Sequence, residues 1–255
     1  MNIISIIPAR MGSSRFPGKP MADILGMPMI GHVYKRVKMS KLLHEVYVAT
    51  CDEEIYNYVE SIGGKVVMTS GCHERCSDRC AEAMLKIEQQ EDKKVDIMVM
   101  VQGDEPLTFP EMIDEAVKPM LNNKEVIITN LVADLETVEE FNDPNEVKVV
   151  MDKSNNALYF SREPIPSRKK GILKVPMKKQ VCVIPFTRDF LLEYNEMEPT
   201  PLEIIESVDM MRILENGMKV KMIPTQYETK AVDTKEDLDR VIEMMKEDSL
   251  LESYK

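Results

Sequence analysis

Apolar residues along this chain follow two alternating rhythms: short unbroken runs, and longer stretches that repeat every three to four positions. The first run, Ile3 to Ile7, is brief and β-branched, which predicts a buried strand. Pro28 to Met39 then sets Ile30, Val33, Tyr34 and Val37 on one helical face. Glu45 to Thr50 predicts a strand. Asp52 is placed to cap a helix that runs to about Ile62 and ends at Gly63-Gly64. Lys65–Met68 reads as a strand, Ser77–Gln90 as a helix, Ile97–Val101 as a strand, Pro110–Asn122 as a helix and Val126–Thr129 as a strand. Such alternation predicts an α/β fold with a mainly parallel sheet flanked by helices on both faces. Ligands of such sheets sit beyond the carboxyl ends of the strands. The stretch after Ile7, Thr50-Cys51-Asp52 and Gln102-Gly103-Asp104 all fall at that end.

The second half is less regular. Strands are expected at 147–151, 157–161, 180–184 and 220–224, and helices at 188–196 and 201–216, the latter ended by Gly217. Pro164 to Pro176, rich in Pro, Lys and Arg, predicts an exposed loop. Thr234, supported by Asp237, is placed to cap a last helix through Met245. No internal repeat or clear linker interrupts the 255 residues, which read as a single domain with an irregular insert.

Composition narrows the classes of function. The hydrophobic fraction of 44% and charged fraction of 30% suit a soluble globular protein. No segment approaches the length of a membrane span, and the start lacks the basic region and cleavage site of an export signal, so a cytoplasmic location is expected. A net charge of −11 argues against nucleic acid as a partner. Five cysteines without an export signal fit a reducing compartment. Cys72, Cys76 and Cys80 recur every fourth residue beside His73, a spacing that matches neither common zinc nor iron–sulfur patterns. On a helix the three share one side, where they serve as packing. The 21 methionines likewise read as soft core filling.

Against this acidic background, Arg10, Arg15 and Lys19 are concentrated in one loop with Gly12, Ser13 and Gly18. Glycines let backbone amides converge on an anion, and the cations and hydroxyls add charge and donors. The loop therefore predicts a triphosphate cradle, the plainer reading being a basic surface turn. Asp104, directly after a hydrophobic strand, suits a Mg²⁺ ion shared with phosphate oxygens. Gly103 keeps the backbone slim beside a ligand, and Gln102 offers donor and acceptor to a base edge. Asp233 is a second candidate metal carboxylate, so that Asp104 and Asp233 together clamp metal on the triphosphate.

These residues resemble the 3-deoxy-manno-octulosonate (KDO) cytidylyltransferases. The resemblance rests on Ile7-Pro8-Ala9-Arg10 with Ser13, Arg15 and Pro17-Gly18-Lys19-Pro20; Val48-Ala49-Thr50; and Val101-Gln102-Gly103-Asp104-Glu105-Pro106. It continues through Pro144-Asn145 with Lys148-Val149-Val150, Ala157-Leu158-Tyr159-Phe160-Ser161-Arg162 with Pro164-Ile165-Pro166, and Val232-Asp233-Thr234 with Glu236-Asp237-Leu238. It implies a Rossmann-like nucleotidyltransferase fold, a homodimer whose contact draws on the less regular insert, and CTP plus an acidic sugar giving CMP-sugar and pyrophosphate with Mg²⁺. By position it assigns Arg10, Ser13 and Lys19 to the triphosphate and Asp104 and Asp233 to the metal. Ala9, Thr50, Arg79 and Gln102 frame the cytidine, and Arg162, Gln180 and Asp209 lie on the acceptor side.

The departures fall on that acceptor side. The family has His before Ile-Gly-Ile-Tyr where this chain has Gln180 before Val181-Cys182-Val183-Ile184, and Glu-Gln-Leu-Arg where it has Asp209-Met210-Met211-Arg212. Gly-Thr before Asp78-Arg79 is replaced by Cys76-Ser77. Polar mismatches discriminate strongly between substrates. Three readings follow: KDO as acceptor; a different anionic acceptor, such as an amino-substituted KDO, another acidic sugar or a phosphonate; or a nucleotide-binding module without catalysis.

Overall fold

The computed structural model describes residues 1–13, 15–171 and 175–255; Ser14 of the basic loop and positions 172–174 of the expected exposed loop lie outside the described residues. The chain forms two compact units, Met1–Asp114 with Glu228–Lys255, and Glu115–Tyr227.

The first unit opens with β1 (Ile3–Ala9), buried at every position. A hairpin of β2 (Asp23–Ile24) and β3 (Met27–Pro28), which the hydrophobic pattern did not announce, leads into α1 (Met29–Val37). Ile30, Val33, Tyr34 and Val37 are buried, as their spacing predicts. β4 (Glu45–Thr50), α2 (Glu53–Ser61), β5 (Lys65–Met68), α3 (Cys76–Glu91) and β6 (Ile97–Val101) follow. Their ladders are all parallel, in the order β6-β1-β4-β5. Uninterrupted apolar runs form such strands because helices cover both faces of a parallel sheet. α2 ends where Gly63, at φ +71°, takes the left-handed conformation that closes a helix.

α4 (Pro110–Asn122) carries the chain into the second unit, which contains β7 (Thr129–Asp134), α5 (Val138–Asn142), β8 (Lys148–Met151), β9 (Ala157–Ser161), β10 (Lys178–Val181), β11 (Val183–Thr187), α6 (Arg188–Glu196), α7 (Pro201–Glu206), α8 (Met210–Glu215) and β12 (Lys221–Pro224). Five of these strands form one mixed sheet in the order β12-β7-β10-β8-β9. Only β12 and β7 pair in parallel. The chain then returns to the first unit with α9 (Lys235–Lys246), begun by the expected capping box of Thr234 and Asp237.

Three expectations shift. The strand placed at 126–129 begins only at Thr129, because Val126 N–H donates to the Asn123 carbonyl at 3.1 Å and Glu125 N–H to the Asn123 side chain at 2.9 Å, prolonging the turn after α4. The strand placed at 180–184 is two strands, parted by a bend at Cys182. The helix placed at 201–216 is also two, because Ser207 takes a left-handed conformation at φ +51°. Among the described residues, no helix is long and apolar enough to cross a membrane.

Candidate active site

The basic loop after β1 folds around one peptide. Ser13 N–H and Gly18 N–H both donate to the Met11 carbonyl at 2.9 Å, while Met11 N–H donates to Asp52 Oδ2 at 2.8 Å. Asp52 occupies the cap position of α2 but makes no side-chain cap bond there; its carboxylate holds the loop instead. The Ser13 and Gly18 amides are thus spent inside the loop, so side chains rather than these amides are its means of meeting an anion. Gly18 needs its freedom, at φ +76°, whereas a Cβ on Gly12 would meet nothing within 4 Å. Ser13 Oγ accepts from Phe16 N–H at 3.4 Å. Gly103 is slim for packing: a Cβ there would stand 3.0 Å from the Pro8 carbonyl at the end of β1.

Lys19 links the two acids picked out from the sequence. Its Nζ donates to Asp104 Oδ2 at 2.6 Å, to the Val232 carbonyl at 3.0 Å and to Asp233 Oδ1 at 3.3 Å. Arg15 donates to the same Asp233 oxygen at 2.7 Å. Burial opposes the charge on Lys19, but Asp104 and then Asp233 outweigh it and hold the ammonium above the ordinary lysine pKa. Val232 N–H donates to the Asp104 carbonyl at 2.9 Å. Val232 is fully buried in a cluster with Ile24, Met29, Leu107 and Leu238, all of them buried, and Phe16 packs against it. Apolar packing therefore fixes the backbone that presents both carboxylates. Two carboxylates and a carbonyl around one positive centre form the all-oxygen donor set that a hard divalent ion prefers.

A pocket at the end of β1 is lined by Ala9, Arg10 and Arg79, together with His73, Arg75 and Cys76, for which no sequence motif predicts a place there. Thr50 and Gln102 are not part of that lining. Arg79 is buried and donates to Thr69 Oγ1, while Thr50 accepts from Thr69 N–H at 2.8 Å, so Thr50 and Arg79 brace one residue from two sides. Arg10 is exposed and donates to the His73 carbonyl at 3.3 Å. The His73 loop is in turn clamped by Glu82. Burial pushes the Glu82 carboxyl up, but Lys86, the Ser70 N–H and His73 pull it down to about 2. Gln102 is half-buried, and its main-chain carbonyl accepts from Glu105 N–H at 3.3 Å. Cys72 lies before α3 and is exposed, so only Cys76 and Cys80 share the helix, and the expected three-cysteine face is not formed.

The acceptor-side candidates belong to the second unit. Arg162 Nε donates to the Glu206 carbonyl at 2.7 Å, Nη1 to Pro144 O at 2.8 Å and Nη2 to Ser207 O at 3.2 Å. It thereby caps the carbonyls exposed where α7 breaks, a structural task the sequence did not reveal. Gln180 Nε2 donates to Asn130 Oδ1 at 2.6 Å, and the buried Asn130 amide donates to Val181 O at 2.7 Å. Asp209 sits at the start of α8, its carbonyl accepting from Tyr194 Oη at 3.2 Å, and Met210 after it is fully buried.

Comparison with known proteins places this arrangement. The cytidylyltransferase family matches residues 4–220. The 3-deoxy-manno-octulosonate cytidylyltransferase of Geobacter metallireducens is 43% identical over 96% of this chain and 98% of its own length. That of Geotalea uraniireducens is 44% identical over 96% and 100%. Among solved structures, CMP:2-keto-3-deoxy-manno-octonic acid synthetase complexed with CTP superposes with a TM-score of 0.88 at 35% identity, covering 96% of this chain and 99% of that one. With the parallel sheet, the basic loop and the paired carboxylates in place, the chain belongs to the 3-deoxy-manno-octulosonate cytidylyltransferase family.

Proposed function

We propose that this chain couples CTP to 3-deoxy-manno-octulosonate, giving CMP-sugar and pyrophosphate, and that residues 1–255 act as a single cytoplasmic nucleotidyltransferase domain in a homodimer. The observation that carries the reading is Lys19 held between Asp104 and Asp233 at 2.6 and 3.3 Å, in a chain of this family. Arg10, Arg15 and Lys19 bring positive charge to a triphosphate, with the Ser13 hydroxyl as a further donor. Asp104 and Asp233 suit Mg²⁺, which when bound neutralises phosphate charge and favours departure of pyrophosphate. The pocket at Ala9, Arg10 and Arg79 is the candidate seat of the cytidine, with Thr50 bracing its wall and Gln102 presenting an amide.

The acceptor hydroxyl attacks the α-phosphorus in line. One P–O bond forms, the bond to the β-phosphate oxygen breaks, and the hydroxyl proton is released. Such a step needs positioning and charge neutralisation more than covalent help from the protein. For the dimer, Leu158, Ile204 and Ile205 support a contact on the less regular half, since these large apolar side chains are 60–73% exposed in the second unit.

A second reading keeps the chemistry and changes the acceptor. It is favoured by Gln180, whose amide nitrogen is tied to Asn130, and by Met210, which puts an apolar side chain in the core where the family has an amide. A pyrophosphate-release screen crossing CTP and the other nucleoside triphosphates with KDO, other acidic sugars and phosphonates decides between them. Turnover specific to CTP and KDO is expected. Preference for another anion moves the reading to that acceptor, and CTP binding without product from any acceptor removes the enzyme reading.

A further inference from the structure

Lys19 is called upon twice: as a cation for the triphosphate, and as the partner of the carboxylates that would hold a divalent ion. The geometry points to an exchange between these tasks. We propose that Lys19 is the resident counter-ion of the Asp104–Asp233 pair, and that nucleotide phosphates draw it away and so open the carboxylates to the divalent cation. The inference rests on the proposed metal role of these acids and adds an order to it.

Three observations on charge and position carry it. Lys19 Nζ is within 3.3 Å of one oxygen from each carboxylate and within 3.0 Å of the Val232 carbonyl, so it stands where a small cation would be ligated. Arg15 neutralises the same Asp233 oxygen from the solvent side, being 48% exposed. Two cations thus balance two acids within the loop, leaving little net attraction for a lone divalent ion. Finally, both cations belong to the basic loop, which Phe16 seats on the same Val232 cluster that fixes the acids, so the exchange is one of side chains and needs no movement of the loop. A triphosphate supplies negative charge that competes for Lys19 and Arg15, so anion and metal affinities rise together. Such coupling is reciprocal by necessity.

Mn²⁺ binding to the nucleotide-free protein, followed by the electron paramagnetic resonance signal of the free ion, tests this. Wild type is expected to bind weakly, and Lys19→Met about tenfold or more tightly, an effect abolished by adding Asp104→Asn. Lys19→Arg keeps the charge and is expected to stay weak, and circular dichroism confirms that each variant is folded. The wild type with CTP provides the second arm. If its Mn²⁺ binding depends on Asp104 but Lys19→Met binds no more tightly than wild type without nucleotide, the exchange is overturned while the metal role stands. If Asp104→Asn leaves Mn²⁺ binding in the presence of CTP unchanged, both fall together.

Discussion

The two units use the same charged residue types in opposite ways. In the first, Lys19 and Asp104 pair at the end of a strand with side chains 14% and 18% exposed, and Arg15 beside them is 48% exposed. In the second, Arg212 meets Glu203 through two bonds of 2.7 Å, with side chains 5% and 0% exposed, and lies over the Tyr194 ring. Arg162 and Lys148 in that unit are spent on backbone carbonyls. An open pair between single oxygens is exchangeable, because an incoming ligand can replace either partner. A closed fork is committed, because its desolvation has no substitute once a partner leaves. Pairing geometry therefore marks the first pair as the candidate for chemistry and the second as architecture, where residue type does not.

The strongest way to break this distinction is to neutralise an open acid. Asp104→Asn preserves shape and removes the charge, and it should lower pyrophosphate release by about a thousandfold or more, the scale of losing electrostatic stabilisation at a reacting phosphate. Its melting temperature should stay near that of wild type. Near-normal turnover would place Asp104 among the structural acids. Next in size is the closed fork. Glu203→Leu strands the Arg212 guanidinium and also removes the carboxylate that accepts from Thr200 N–H at 3.2 Å, so a loss of about 3–5 kcal/mol is expected in urea unfolding. A variant of unchanged stability that had lost turnover would reverse the two roles.

The same contrast explains what could be read from the chain. The strands of the parallel sheet in the first unit were legible because apolar runs such as Ile97–Val101 are buried at every position, whereas the two-residue strands β2 and β3 are too short to leave a pattern. The candidate site was legible as far as strand ends reach: Asp104 and the basic loop could be singled out, but not their meeting, since Lys19 and Asp104 are 85 positions apart, and Lys19 and Asp233 are 214 apart. Asp52 shows the limit. Its cap position was correct, yet its oxygen serves Met11, 41 residues away. In the second unit the break at Ser207 carries no glycine signal, and Arg162 satisfies its carbonyl from 45 residues upstream. Local pattern predicts local structure, and here distant side chains decide.

The smallest expected effect sharpens the comparison by asking whether the unit or the pairing geometry does the sorting. The first unit has a closed pair of its own, the fully buried Arg36 with Asp248. Arg36 Nε donates to Tyr254 Oη at 3.0 Å, and Tyr254 lies 2.9 Å from His32 Nδ1. His32 Nε2 faces the Ile24 carbonyl at 2.8 Å, so a neutral ring with its proton on Nε2 satisfies both neighbours. Burial lowers the His32 pKa below 6.5, Arg36 and Lys255 lower it further, and the Ile24 carbonyl and Asp23 only partly oppose them. The unfolded chain therefore binds the proton more readily than the folded one, and stability falls as pH drops from about 6.5 toward the folded value. Melting temperatures between pH 7 and 5.5 should decline more steeply in wild type than in His32→Gln, by an amount on the order of a few degrees. CTP affinity should show no matching difference between the two proteins. Parallel slopes would remove His32 from the balance, whereas a CTP affinity that followed His32 would tie this closed pair to the open site and dissolve the distinction between them.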